Sequence, residues 1–550
     1  MSSDDTGAGA LLGDRHPDEI AALVGKAAKI GIDFFTGQAR NDLVLRYAPQ
    51  RELLERFAEP LPQTPISDDA LLDSLAEVAR WSVAQHDQRY LAFPDVGSSV
   101  AGVAAGVVAT FLNQNLIAYD RSAPAGSAVE AQLLLWLREL VGFSSFPLDE
   151  YVGLRHLGGM WTSGGNMSNH IAMTVALAAT WPDVRRDGLR CLPERPVVVL
   201  ARGVEHFSYL SAAQVLGLGS SGLVWSTANS DHTSDVGAIA AALENPPEGT
   251  RPFMVVGVAG NCRTTGIDRL AEIADLCAKH GVWFHVDACH GGSLLFSDHL
   301  RGELAGIERA DSVSLDPHKG LFITYPSSYM LVQDPEHLAR FSRYPDKLDD
   351  PACLDLGLIT PFYGSRGFES LRLWAMIKHL GRTGIARLVE QREETFREMH
   401  DLIESTGYFQ MIGAAGFYRC AFVYCPPEAR RLVEALREHP ELVPRVRAVV
   451  SHYTQRFAQT LYVSGRVVFD LFAVQDLGDA LGLGTEAKIE VLGMCVGHPT
   501  MEAGVKEDIV KHISAVGDDL VDPLVGELRA LGVDEAQEAW TAAVHGPAGW

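Results

Sequence analysis

The chain reads as an α/β protein built on a mostly parallel sheet, and two features of the sequence predict it. Five short apolar runs rich in β-branched residues recur through its middle: 196–201 (PVVVLA), 253–259 (FMVVGVA), 282–288 (VWFHVDA), 312–315 (SVSL) and 328–332 (SYMLV). Helical periodicity fills several of the gaps between them, as at 207–218 and 268–280. Strands that stay apolar on consecutive residues are buried on both faces, and strands alternating with helices pair in parallel through crossovers.

Taken in order, residues 1–85 read as helices. Stretches 19–36, 51–57 and 68–86 carry apolar residues at i, i+3 and i+4, and the Pro-rich 60–66 separates two of them. The alternating region covers 86–390 and closes with one or two helices within 364–390. Residues 391–550 read as a smaller unit with helices at 429–438 and 502–516 and strands at 419–424, 467–472 and 489–496. An acidic, Ala/Gly-rich tail at 532–550 is expected to follow loosely ordered. The divisions are an N-terminal helical segment (1–85), a large α/β domain (86–390) and a small C-terminal α+β domain (391–550).

Composition narrows the partners. Lys+Arg number 46 against 70 Asp+Glu, a formal net charge of −24, which repels nucleic acid and anionic membranes. No uninterrupted apolar stretch approaches the ~20 residues that span a bilayer. The N-terminus carries charges where a signal peptide has its apolar run. Eight cysteines are scattered without CxxC or Cys/His ligand spacing, so no metal site is expected and free thiols in a cytoplasmic, reducing setting are.

Chemistry concentrates at the ends of the apolar runs. Asp287, in Val286-Asp287-Ala288-Cys289-His290, lies at the C-terminal end of a buried strand, where open α/β sheets place ligand-binding groups. Alone, such an Asp reads more readily as a cap on the next helix. Downstream, Asp316-Pro317-His318-Lys319 delivers a lysine from a second strand through a Pro-fixed turn. A lone lysine is a surface charge in most settings; one delivered this way is a candidate for Schiff-base chemistry. The pair suits pyridoxal phosphate. Asp287 would keep the pyridine nitrogen protonated, and Lys319 would hold the aldehyde as a Schiff base. Gly158-Gly159-Met-Trp-Thr-Ser163-Gly164-Gly165-Asn166-Met-Ser168-Asn169 supplies a Gly/Ser turn running into an apolar helix, a cradle for phosphate. It matches neither GxGxxG nor the P-loop. His206 follows strand 196–201, where an imidazole could stack on the ring and transfer protons.

These segments, in this order, are similar to the group II pyridoxal-phosphate decarboxylases, which include the glutamate and aromatic-amino-acid decarboxylases. Ser163-Gly-Gly-x-x-Ser-Asn169 and Gly306-Ile-Glu-Arg-Ala310 look most like the glutamate side. The resemblance covers roughly 86–400. It implies fold type I, with a mostly parallel seven-stranded sheet flanked by helices, an N-terminal segment that wraps a partner, and a homodimer acting on a small amino acid. Carried over by position, Gly165 and Asn166 meet the phosphate, His206 stacks on the ring, Asp287 faces the pyridinium and Lys319 bears the cofactor. Cys262 stands where the family has a Thr, and Asp316 before Pro317-His318 where Asn is common.

Three departures bear on substrate and reaction. Gly493 stands where a late-strand Arg would anchor the substrate carboxylate. Asp95, in Phe93-Pro94-Asp95, puts an acid where the aromatic-amino-acid enzymes have a substrate-pocket Thr; it would repel an anionic side chain and could welcome a cationic one. Within 343–367, Phe362 falls at or beside the position of the family's proton-donating Tyr, leaving Tyr363 to serve. The expected reaction is amino-acid α-decarboxylation through Lys319, His206 and Tyr363. Oxidative decarboxylation to an aldehyde or another carbon–carbon cleavage is the alternative, and a non-catalytic cofactor-binding homologue a second one.

Overall fold

The computed structural model describes residues 15–151 and 153–544. Three amphipathic helices open the chain: α1 (Pro17–Phe35), α2 (Gln50–Phe57) and α3 (Asp68–Arg80). A two-residue strand, β1 (Tyr90–Leu91), follows, and then α4 (Val100–Leu112) and α5 (Pro124–Val141). Pro124 opens α5, where its missing N–H costs nothing.

The large sheet comprises β2 (Gly159–Thr162), β3 (Arg195–Ala201), β4 (Leu223–Ser226), β5 (Thr250–Val258), β6 (Trp283–Ala288), β7 (Ser312–Leu315) and β8 (Ser328–Val332). Their order is β2-β8-β7-β6-β5-β3-β4. Strands β4, β3, β5, β6 and β7 run parallel, while β8 lies antiparallel between β7 and β2. The seven-stranded, mostly parallel sheet expected from the sequence is therefore present. Consecutive strand residues bury on opposite faces. Val198, Leu200, Met254, Val256, Met330 and Val332 enter one core, and Val199, Val255, Phe284, Val286, Tyr329 and Leu331 the other. Helices α6 (Gly165–Thr180), α7 (Ser208–Val215), α8 (Val236–Glu244) and α9 (Leu270–His280) lie between the strands in sequence.

Helix α10 (Ser370–Ser405) leads out of this unit as two segments meeting at Gly381, whose φ of 64° and ψ of 172° suit glycine and break the helix. The second sheet has the order β1-β11-β12-β10-β9, with β9 (Phe409–Ile412), β10 (Arg419–Tyr424), β11 (Val468–Gln475) and β12 (Lys488–Cys495). It is antiparallel except for β1, which pairs in parallel with β11. Strand β1 thus binds the beginning of the chain into the C-terminal sheet.

Helices α11 (Pro427–Leu436), α12 (Val443–Ser464) and α13 (Ala503–Val544) complete the chain. The expected stop near 516 is corrected: α13 runs to Val544. Leu520, Leu524, Leu528 and Leu531 continue its apolar stripe into the third core, and Pro523 is tolerated on the exposed face. Of the tail expected to be loosely ordered, 532–544 is helical and 545–550 lie outside the described residues.

Candidate active site

Strands β2, β3, β5, β6 and β7 all end at one edge of the large sheet, and the residues that follow them meet there. A narrow pocket there is lined by Gly165 and Asn166 after β2, His206 after β3, Cys262 after β5, Asp287 at the end of β6, and Lys319 after β7. These are the dispersed segments picked out from the sequence. Asp316 stands beside the pocket with an oxygen 2.9 Å from Lys319 Nζ. His318 is buried behind it, Nδ1 donating to the Ser327 carbonyl at 2.7 Å, its ring packed against Tyr325 at 4.2 Å between centroids.

Asp287 is fully buried yet keeps its charge. Oδ2 accepts from Asn169 Nδ2 at 2.8 Å and from the Tyr209 hydroxyl at 3.2 Å; Oδ1 accepts from Cys289 N–H at 3.2 Å and Ser314 Oγ at 3.4 Å. Burial pushes its pKa up, but His206, His285 and Lys319 outweigh burial and hold it below the usual carboxylate range. Asn169 is itself oriented by His285, whose Nε2–H donates to Asn169 Oδ1 at 3.2 Å while Nδ1 accepts from Ser312 Oγ at 2.8 Å. Burial lowers His285 to a pKa of about 4, so it is neutral at physiological pH and can hold that tautomer. Burial also lowers His206.

Lys319 is placed by its turn. Burial would lower its pKa, but Asp316, Cys289 and Asp287 together outweigh burial and raise it above the ordinary lysine range. Opposite, α6 begins at Gly165 with no side chain capping its first turn, which leaves backbone N–H groups for an anion. A Cβ on Gly165 would come within 2.5 Å of Cys289 Sγ and 2.7 Å of an Asp316 oxygen, so only glycine lets the helix start this close to the lysine turn.

Tyr363 is not among the pocket-lining residues. Its hydroxyl sits 3.1 Å from both Ser163 N–H and Ser163 Oγ, at the turn before Gly165. Phe362 is 45% exposed.

Several residues here escaped the sequence reading. Asn169 stood inside the quoted Gly-rich segment, one helical turn after Gly165, and that spacing was its signal. Tyr209 and Ser314 carried none. Arg419 on β10 is the most consequential. Ala421 pairs with Gly493, and the Arg419 side chain crosses to β12, where Nη2 lies 3.0 Å from where a Cβ on Gly493 would be. The guanidinium is buried, ion-paired to Asp470, and its Nε has no hydrogen-bond partner. Arg392 on α10 clamps the turn from below: Nε donates to the Val496 carbonyl at 2.7 Å and Nη1 to the Lys319 carbonyl at 3.2 Å.

The family model described as the pyridoxal-dependent decarboxylase conserved domain matches residues 51–425. The chain belongs to that family. It is 29% identical over 461 residues to mouse (Mus musculus) cysteine sulfinic acid decarboxylase, covering 81% of this chain and 89% of that protein. It is 30% identical over 382 residues to the L-2,4-diaminobutyrate decarboxylase of Rhizobium meliloti, covering 68% and 71%. The crystal structure of mouse CSAD superposes with a TM-score of 0.80 at 26% identity, covering 92% of this chain and 99% of that one. This decarboxylase therefore has the fold-type-I architecture, uses pyridoxal phosphate and is a carboxy-lyase acting on an amino acid. The pocket suits that cofactor: an uncapped helix start for phosphate, an ionised buried carboxylate for a pyridinium, and a lysine between them.

Proposed function

We propose that Lys319 carries the cofactor aldehyde and that Asp287 holds the proton on the ring nitrogen. The supporting observation is the buried Asp287 carboxylate, kept ionised by converging donors on the strand next to the one that delivers Lys319. When bound, pyridoxal phosphate supplies an electron sink for the charge left by CO₂. The chain's own groups do the rest. Gly165 and Asn166 take the phosphate at the start of α6. His206 and Cys262 pack the ring's surroundings, and Asp316 and His318 set the lysine turn. Arg419 receives the substrate carboxylate in place of a β12 arginine, because its guanidinium stands with the Phe472 ring beside Gly493. Tyr363, hydrogen-bonded to Ser163 two residues before Gly165, returns the proton to the α-carbon.

A homodimer fits the surface. Helix α4 exposes Val100, Val103, Val107, Val108, Phe111 and Leu112 on the large domain, an apolar patch that a second copy would cover. All eight cysteines are free, as a reducing cytoplasm requires, and among the described residues no helix is long and apolar enough to cross a membrane.

One experiment tests the roles. Lys319→Ala is expected to abolish the visible cofactor band and CO₂ release, while Tyr363→Phe retains the band and adds ammonia and peroxide to the products. A cofactor band that survives Lys319→Ala would overturn the assignment. Peroxide in step with CO₂ from the unaltered protein would establish the oxidative reaction instead.

A further inference from the structure

We propose that the substrate is a diamino acid, and that Asp95 is the counter-ion of its distal ammonium. This rests on the site assigned above and deepens it.

Asp95 reaches the lysine turn from the connection between β1 and α4. Two packing contacts fix that connection. Ser99 N–H donates to the Phe322 carbonyl at 2.9 Å, and Val96 presses so closely on Gly497 that a Cβ there would lie 2.2 Å from Val96 Cγ1. The carboxylate is thus wedged between the segment after Lys319 and the end of β12. Its Oδ1 is buried and has no hydrogen-bond partner. The nearest cationic candidate, His318 Nε2, is 3.7 Å away, and Asp316 Oδ2 stands 3.8 Å from the same nitrogen; both exceed hydrogen-bonding distance.

The neighbouring cations are held mainly by other groups, although Arg392 Nη2 has no hydrogen-bond partner. Lys319 is paired with Asp316, and Arg392 donates to the Val496 and Lys319 carbonyls. Asp316 thus holds the ammonium of this turn, the group assigned above to the cofactor, and Asp95 has only His318 at 3.7 Å as an ion-pair partner. A buried acceptor without a donor is costly unless a ligand supplies one. Burial raises the Asp95 pKa above the usual carboxylate range against the opposing pull of His318 and Lys319, and Asp316 adds to the rise. A substrate ammonium would complete the set. An acidic side chain would face both carboxylates, and an alkyl side chain would leave Oδ1 unsatisfied. The phenol of Tyr325 borders the same space: it lies 3.3 Å from a Cβ position on Gly164 and feels both acids.

The test uses the holoenzyme. L-2,4-diaminobutyrate, L-ornithine and L-lysine are compared with L-norvaline, L-norleucine, L-glutamate and L-cysteine sulfinate, by titration of the cofactor band and by CO₂ release. Calorimetric binding of 1,3-diaminopropane and 1,4-diaminobutane against propylamine and butylamine gives a readout independent of turnover. At least one diamino acid should bind about 10-fold or more tightly than its neutral counterpart. Asp95→Asn should erase that advantage while leaving the neutral ligands nearly unchanged. Asp95→Glu should keep the advantage and shift it to a shorter side chain, a change that misfolding cannot produce.

Tighter binding of a neutral or acidic amino acid, or an Asp95→Asn protein with the same preference as the parent, overturns the inference and leaves the cofactor roles standing. Loss of those roles shows separately, as a cofactor band that does not depend on Lys319.

Discussion

Asp287 and His285 share a strand and divide the electrostatic labour of the site. His285 is neutral because burial lowers it to about 4, whereas an unfolded chain takes up its proton near 6.5. Protons then bind the unfolded state preferentially between those values, so stability is full above about 6.5 and declines as pH falls toward 4. The gap corresponds to roughly 3 kcal/mol. His285→Gln should flatten that acid limb, measured as the change in urea midpoint between pH 7 and pH 5. His86, also lowered to about 4 by burial, acts with the same sign, so the limb is reduced and not abolished. A midpoint difference unchanged by the substitution would remove His285 as a cause. Lys319, Asp287 and Gly165 were legible because each residue type is out of place where it stands: a lysine and an acid at buried strand ends, a glycine opening an apolar helix. Tyr209 and Ser314 were not, since their contacts with Asp287 depend on packing between elements far apart in the chain.

At the scale of elements, β10 and β12 form the pair on which the proposed carboxylate contact rests. In an antiparallel pair a residue's side chain can occupy space belonging to its neighbour on the partner strand, and Arg419 does so over Gly493. Arg419→Met should raise the KM of the amino-acid substrate by about 10-fold or more with a smaller effect on the binding of the corresponding amine, the loss expected of one charge-assisted contact. Equal losses for acid and amine would show a structural role instead. A reading along the chain sees only that position 493 lacks an arginine, because the compensation lies on another strand. Strands β3 and β5 to β8 were readable from their β-branched runs. Strand β2 was not, since Gly-Met-Trp-Thr resembles the turn it leads into, and its pairing with β8 is long-range. Strand β4 and strand β9, four residues each, are too short for periodicity to mark. Helix α13 was cut short because its polar face after 516 outweighs a narrow stripe of leucines.

For the whole molecule, the large sheet has a core on each face and the C-terminal sheet a third, and α10 joins two of them: Leu373, Met376, Ile385 and Val389 enter a core of the large sheet, and Phe396, Met399 and Ile403 enter that of the C-terminal sheet. The alternation of strands and helices made the first two legible. The binding of β1 to the C-terminal sheet was not, because two residues carry no pattern. Association is the remaining question of this scale. With α4 exposing Val100 at 69% and Phe111 at 63%, a charge placed mid-face, as in Val107→Glu, should convert a dimer to a species of half the mass in light scattering. A monomeric parent protein would dispose of the dimer.

Arg392 gives the end of the C-terminal sheet a hold on the Lys319 turn, through a carbonyl bond to each. With the cofactor on Lys319 as proposed, the protein's colour would become a gauge of a sheet other than the one that delivers the lysine. On warming, a loosening of β12 is transmitted to the Lys319 turn, so bleaching should track the melting of the C-terminal sheet even while the large sheet stays intact.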